Sequence, residues 1–219
     1  MEEAHRFSRT LLKELYRQVW WHNLKIPLVY ALLIAAGCLA WTTPSWWLRW
    51  LVYVCMGYLW MSVVTFMHDC VHGVFFKASW KNWAFGVFST IPIIITFVSF
   101  REDHLDHHRY NRSTRDPDAF TMGKRGALDF LLFYAYIVIG GVLTIIQFSV
   151  IYPLQKFDRS ESLIHGLELL LRVVLITGLC VWTSSLGELG RFVEIWLVPV
   201  YIFSLLNSVR FIAERFSSM

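Results

Sequence analysis

Long uncharged stretches alternate with short polar ones along this chain. Residues 26–47, 50–67, 83–100 and 130–155 contain no charged side chain, and residues 173–187 and 195–209 form two shorter uncharged runs with mixed flanks. A helix needs about 20 apolar residues to cross the hydrocarbon core of a bilayer. The pattern predicts membrane helices over about 26–42, 47–67, 163–184 and 189–208. Thr42, Thr43 and Pro44 mark the first turn, and Ser184 to Gly190 the last. Trp41, Trp46, Trp47 and Trp50 surround the first turn as an interfacial belt would.

Two apolar segments are ambiguous. Residues 83–99 separate two groups of histidines. One crossing there would put the groups on opposite sides of a membrane, so cooperation between them requires the segment to lie flat or to dip in and return. Residues 127–151 carry Gly140-Gly141 near the middle, where paired glycines favour a break or a close backbone approach. A re-entrant or interfacial hairpin and a full crossing both fit there. The predicted architecture is all-α: a polytopic membrane helical bundle of about four transmembrane helices plus interfacial or re-entrant ones.

Composition agrees with that reading. Of 219 residues, 56% are hydrophobic, 17% aromatic and only 16% charged, whereas a soluble domain is about 45–50% apolar and about 25% charged. Residues 1–25 read as an amphipathic segment, with Arg6, Arg9, Lys13, Arg17 and Lys25 before the first apolar run and no signal-peptide cleavage pattern. By the positive-inside rule this segment is expected in the cytoplasm. Arg101, Arg109, Arg112, Arg115, Lys124 and Arg125 place the second histidine group on the same side. The basic residues match no groove-reading motif, so nucleic acid is not an expected partner. Cys38, Cys55, Cys70 and Cys180 lack paired spacing and read as reduced packing residues.

The candidate chemistry lies in the histidines. His68 and His72 stand at i and i+4, and His104, His107 and His108 at i, i+3 and i+4. Each set falls on one helix face. Two such ridges can hold transition-metal ions between them, although imidazole suits iron, zinc and copper alike. His5, His22 and His165 lack partners at ligand spacing and read as snorkelling or hydrogen-bonded side chains. Asp69, Asp106, Asp116 and Asp118 lie among the clusters. A carboxylate commonly accepts the second N–H of a metal-bound imidazole, which makes Asp69 and Asp118 the candidates for that role. His68-x-x-x-His72 also has the spacing of a zinc-protease motif, but Asp69 stands where that motif has glutamate. Paired axial haem ligands would be single histidines facing across a bundle rather than clusters at helix ends.

The segments His68-Asp-Cys-Val-His72-Gly73 and Arg101-Glu-Asp-His104-Leu-Asp-His107-His108-Arg109-Tyr110-Asn111 together resemble the histidine boxes of the membrane fatty acid desaturase family. Asp116-Pro117-Asp118 and Asn207-Ser-Val-Arg210-Phe-Ile-Ala-Glu214 fit the same pattern, and the resemblance covers about residues 45–219. Carotenoid hydroxylases and ketolases look similar. Membership implies a di-iron centre ligated here by His68, His72, His104, His107 and His108, with O2 activation and desaturation or hydroxylation of a long acyl chain. It also implies a membrane lipid or acyl substrate and electrons from a ferredoxin or cytochrome b5-type donor. The family carries a third histidine box after its last span and commonly a histidine where this chain has Arg215. The chain, ending at Met219, is therefore expected to be a desaturase-like domain over 26–219 lacking its C-terminal part. A catalytically incomplete, noncatalytic membrane protein is the alternative expectation.

Overall fold

The computed structural model describes residues 23–110, 113, 115 and 127–216. Its elements are α1 (Lys25–Thr42), α2 (Trp46–Val71), α3 (Ser79–Thr90), α4 (Phe97–Tyr110), α5 (Ala127–Ile146), a π-helical turn (Gln147–Ile151), α6 (Tyr152–Lys156), α7 (Arg159–Ser185) and α8 (Leu189–Phe216). No strand occurs among the described residues. The amphipathic segment expected over 1–25 lies almost wholly outside them, together with His5, His22, Asp116 and Asp118.

Five helical stretches among the described residues are long and apolar enough to cross a bilayer: Lys25–Thr42, Trp46–Val71, Ala135–Lys156, Arg159–Ser185 and Leu189–Arg210. Along one of these helices burial runs opposite to that of a soluble protein. On α7 the buried residues are His165, Glu168, Arg172 and Thr183, while Leu163, Leu167, Leu170, Val173 and Val174 are exposed. Polar side chains facing inward and leucines facing outward is what a hydrocarbon solvent selects. Cys38 and Cys55 also lie on exposed faces, and only Cys70 is the buried packing residue expected of all four; none forms a disulfide. Burial was the wrong criterion for the others, because lipid is as apolar as a core.

Local chemistry starts and stops these helices. Ser45 caps α2 by accepting from the Leu48 amide at 3.4 Å. Asp158 opens α7 with a reciprocal capping box, accepting from the Ser160 and Glu161 amides at 2.8 and 2.9 Å while Glu161 accepts from its own amide at 3.0 Å. Those donated bonds, the Glu161 amide first, hold the Asp158 carboxyl below its ordinary pKa. α7 and α8 form the expected out-and-back pair, turning through Leu186 and Gly187, whose φ is +74°.

α3 and α4 settle the first ambiguous segment. At 12 and 14 residues and about 1.5 Å per residue, each falls short of the roughly 30 Å hydrocarbon core. They run antiparallel. Trp83 meets Phe97 edge-on at 5.3 Å, and the Arg101 guanidinium lies 5.9 Å over the Trp83 ring. The turn between them reaches into the bundle, where Trp196 Nε1 donates to the Pro92 carbonyl at 2.8 Å and Tyr30 pairs with Ser89 at 3.3 Å. The segment thus goes in and comes back, leaving both histidine groups at one end.

Gly86 permits that hairpin to close. A Cβ there would overlap the Phe97 ring, and Phe97 is only 1% exposed. Gly86→Val is therefore expected to lower stability by about 1–3 kcal/mol, the usual range for overpacking, read as a lower thermal midpoint in detergent. Gly37 has nothing within 4 Å of its would-be Cβ. Gly37→Ala should leave the midpoint unchanged or raise it, because alanine is the better helix former by about 1 kcal/mol.

The second ambiguous segment is not a hairpin. Residues 127–156 run helically through Gly140-Gly141, with one π-turn near the end. In hydrocarbon a broken helix would strand backbone polar groups, so the glycines serve close approach instead. A Cβ on Gly141 would overlap Ser204 of α8, and one on Gly140 would stand 3.0 Å from Ser208 Oγ. α6 ends this stretch at the histidine end, with Lys156 4.0 Å from Asp106.

Candidate metal centre

α2 continues straight through His68 and stops at His72, its C-cap. Gly73 follows with φ +66°, the left-handed conformation glycine adopts without strain at a helix C-terminus. Its amide donates to Cys70 O at 3.1 Å and the Val74 amide to Asp69 O at 3.2 Å. The loop beyond is pinned by Asn82, which is 3% exposed. Its side chain accepts from the Phe76 amide at 2.9 Å and donates to the Phe76 carbonyl at 2.8 Å. The first histidine ridge thus sits on a firmly ended helix.

α4 brings up the second ridge. One nitrogen from each of His68, His72, His104 and His108 lies within 4.8 Å of those of the others. His104 is central: its Nε2 stands 3.1 Å from His72 Nε2 and 3.0 Å from His108 Nε2, and its ring centre is 4.6 Å from that of His68. Phe100 stacks on His104 at 5.7 Å with the planes 12° apart. Four expected ligands therefore converge. His107 stands outside this foursome, its ring centre 5.8 Å from that of His108 and 6.3 Å from that of His104.

The donor set fits a transition-metal ion. Imidazole nitrogens bound at about 2.0–2.1 Å, the zinc value, around a tetrahedral ion would be roughly 3.3 Å apart, close to the spacings found. Lone pairs converging this closely repel one another unless a proton or a cation lies between them. Burial first, then the neighbouring His68, His108, His72 and His107, push the His104 pKa down to about 3. Burial, followed by His68 and His108, lowers that of His72. Both rings are thus neutral at pH 7, with lone pairs ready to ligate.

The surrounding carboxylates divide into two roles. Asp69 Oδ1 is 3.4 Å from His68 Nδ1, an arrangement that turns the other ring nitrogen toward the cluster. Asp106 instead ties α4 to α6, accepting from the Tyr152 hydroxyl at 3.1 Å and from Arg109 at 3.2 Å. His165 is buried and hydrogen-bonded, as a histidine without ligand spacing was expected to be. Its Nδ1 lies 3.0 Å from Thr96 Oγ1 and 3.2 Å from Ser99 Oγ, and its Nε2 3.2 Å from Ser149 O. Sequence spacing gave no notice of Tyr152, Glu168 or Arg172. The available signal was two charges four residues apart inside an apolar span.

Comparison with known proteins agrees with this geometry. Sphingolipid delta(4)-desaturase DES1 of Homo sapiens is 42% identical over 53 residues, which cover 22% of this chain and 16% of that protein. The same-named protein of Gallus gallus is 27% identical over 110 residues, 48% of this chain and 32% of its own length. The matched part of the chain thus spans a third or less of these relatives. No solved structure matches. The family model for fatty acid desaturase matches residues 44–217, which include all five clustered histidines and every helix from α2 onward, and so this membrane protein belongs to the fatty acid desaturase family.

Proposed function

We propose that the chain acts in lipid metabolism as an iron-dependent oxidoreductase that desaturates a long aliphatic chain, with His68, His72, His104, His107 and His108 as metal ligands. The convergence of four imidazoles from two helices within 4.8 Å carries this reading. Iron held there would supply O2 activation for removing hydrogen from an unactivated C–H bond. Nitrogen ligands without charge tolerate an oxidising metal, and Asp69 fixes the tautomer of His68. The four converging histidines suit one ion. The family's second iron would draw on His107 and further donors.

The names of the matched relatives make a sphingolipid chain the first substrate to test, with other acyl lipids next. A ferredoxin or cytochrome b5-type protein would supply electrons at the histidine end. The basic residues flanking α4 and α6 support a cytoplasmic position for that end by the positive-inside rule. Purified protein supplied with iron, a reduced donor, O2 and a saturated sphingoid lipid should yield product lighter by two hydrogens. Product heavier by one oxygen would make the reaction a hydroxylation, and one bound zinc without iron would defeat the redox reading.

Each of the five histidines changed to alanine should lower bound iron. His107→Ala should do so least, because His107 stands outside the foursome. Elemental analysis after dialysis against a weak chelator checks the order, and full iron in all five variants would overturn the ligand assignment.

A further inference from the structure

We infer that Glu168 and Arg172 of α7 form an intramembrane clamp that sets the position of the second histidine ridge, an inference resting on the metal-centre reading above. α4 begins at Phe97 in the interior of the bundle, where its first amide groups have no water to meet. Every α-helix leaves its first four N–H groups without internal partners. Here the partner comes from another helix: Glu168 Oε2 accepts from the Phe97 amide at 2.6 Å, and Oε1 from the Val98 amide at 3.3 Å. A carboxylate at that point also complements the positive end of the helix dipole.

Arg172, 2% exposed, makes the carboxylate tolerable in an apolar interior. Its guanidinium donates to Glu168 Oε2 at 3.2 Å, to the Glu168 carbonyl at 2.6 Å and to the Thr90 hydroxyl. Thr90 is the last residue of α3, so the clamp grips both arms of the re-entrant hairpin. One turn earlier on α7, His165 holds Thr96 and Ser99 while its other nitrogen meets Ser149 O in the π-turn. Ser149 Oγ donates in turn to Ile94 O at 3.4 Å. Ile94 has φ +61°, a left-handed conformation that costs a β-branched residue and persists only where its surroundings enforce it.

The clamp matters because α2 and α4 make little direct contact with each other. What places His104 and His108 against His68 and His72 is therefore what packs on α4: the clamp at its base and the Asp106–Tyr152 bond near its end. His104 lies two helical turns above Phe97, and a rigid helix carries displacement of its base undiminished to its ligands. Metal–ligand distances tolerate only about 0.2 Å. Glu168 is thus the positioning residue and Arg172 the cation that keeps its carboxylate tolerable there; neither touches metal nor substrate.

The test uses the full chain in detergent with cobalt(II) as the probe, since its visible bands report ligand geometry as well as occupancy. Glu168→Met with Arg172→Met removes the cap without leaving a buried charge. This pair should remain folded, bind cobalt tenfold or more weakly and show displaced bands. Arg172→Met alone keeps the carboxylate on the Phe97 and Val98 amides and should bind nearly as the parent does. Glu168→Gln, with one acceptor oxygen for two amides, should shift the bands the same way to a lesser extent and serves if the pair does not fold. Parent affinity and unshifted bands in either folded cap variant overturn the clamp. His104→Ala serves as the reference. If it binds cobalt like the parent, the metal centre itself is wrong; if it loses cobalt while the cap variants do not, only the clamp fails.

Discussion

His104→Ala is expected to lose iron more completely than any other single change in this protein. The imidazole of His104 is the hub of the cluster, with Nε2 about 3 Å from those of His72 and His108 and ring centres 4.6 Å from both His68 and His108. Without it α2 still offers two nitrogens, but α4 offers only His108 to the foursome. Altering merely an outer partner of a metal ligand typically costs about 10–100-fold in affinity. Removing the central ligand should exceed that range, while His107→Ala falls below it. His104 supports no span, so the variant should keep parental helicity by circular dichroism. Iron per chain measured beside helicity separates site loss from unfolding. A folded His104→Ala protein retaining its iron would show that the cluster is a packing feature.

The histidine ridges were legible because the spacing of i and i+4 on a helix is a property of the local chain. So were four of the five candidate spans, the turn at Thr42 to Pro44 and the α7–α8 turn, since each is marked by adjacent residues. The re-entry of α3 and α4 was legible only through a chemical requirement, that both histidine groups share one end of the bundle. What failed depended on what packs against what. Gly140-Gly141 left a break and a close approach both open, because nothing nearby in sequence announces Ser204 and Ser208 as the groups needing that space. Cys38 and Cys55 point outward because lipid replaces the core as their solvent. Glu168 accepts from the amides of residues about seventy positions earlier, a pairing no local period can disclose. His165, Glu168 and Arg172 do share one face of α7, however. Polar residues at that spacing among leucines are the pattern that marks an inward face in a membrane helix.

That face leads to the second large effect, an ordering of stabilities. Glu168→Met alone should destabilise by about 3–5 kcal/mol, the cost of leaving one member of a buried pair uncompensated. Arg172 is the costly one to strand. Its guanidinium cannot lose its proton in a protein, it is 2% exposed, and it would keep only the Glu168 carbonyl and the Thr90 hydroxyl as acceptors. Arg172→Met should cost clearly less, because a stranded carboxylate can take up a proton and Glu168 still holds the Phe97 and Val98 amides. Changing both to methionine should recover most of the loss, since apolar residues of similar volume often replace a buried ion pair at little cost. The three thermal midpoints, with the parent, form a double-mutant cycle whose coupling term isolates the pair. If the doubly changed protein were as unstable as Glu168→Met, the loss would come from the uncapped base of α4 rather than from the stranded cation. If Arg172→Met were the worse single change, the carboxylate would be the charge that most needs its partner, and the inward face of α7 would owe its stability to the guanidinium.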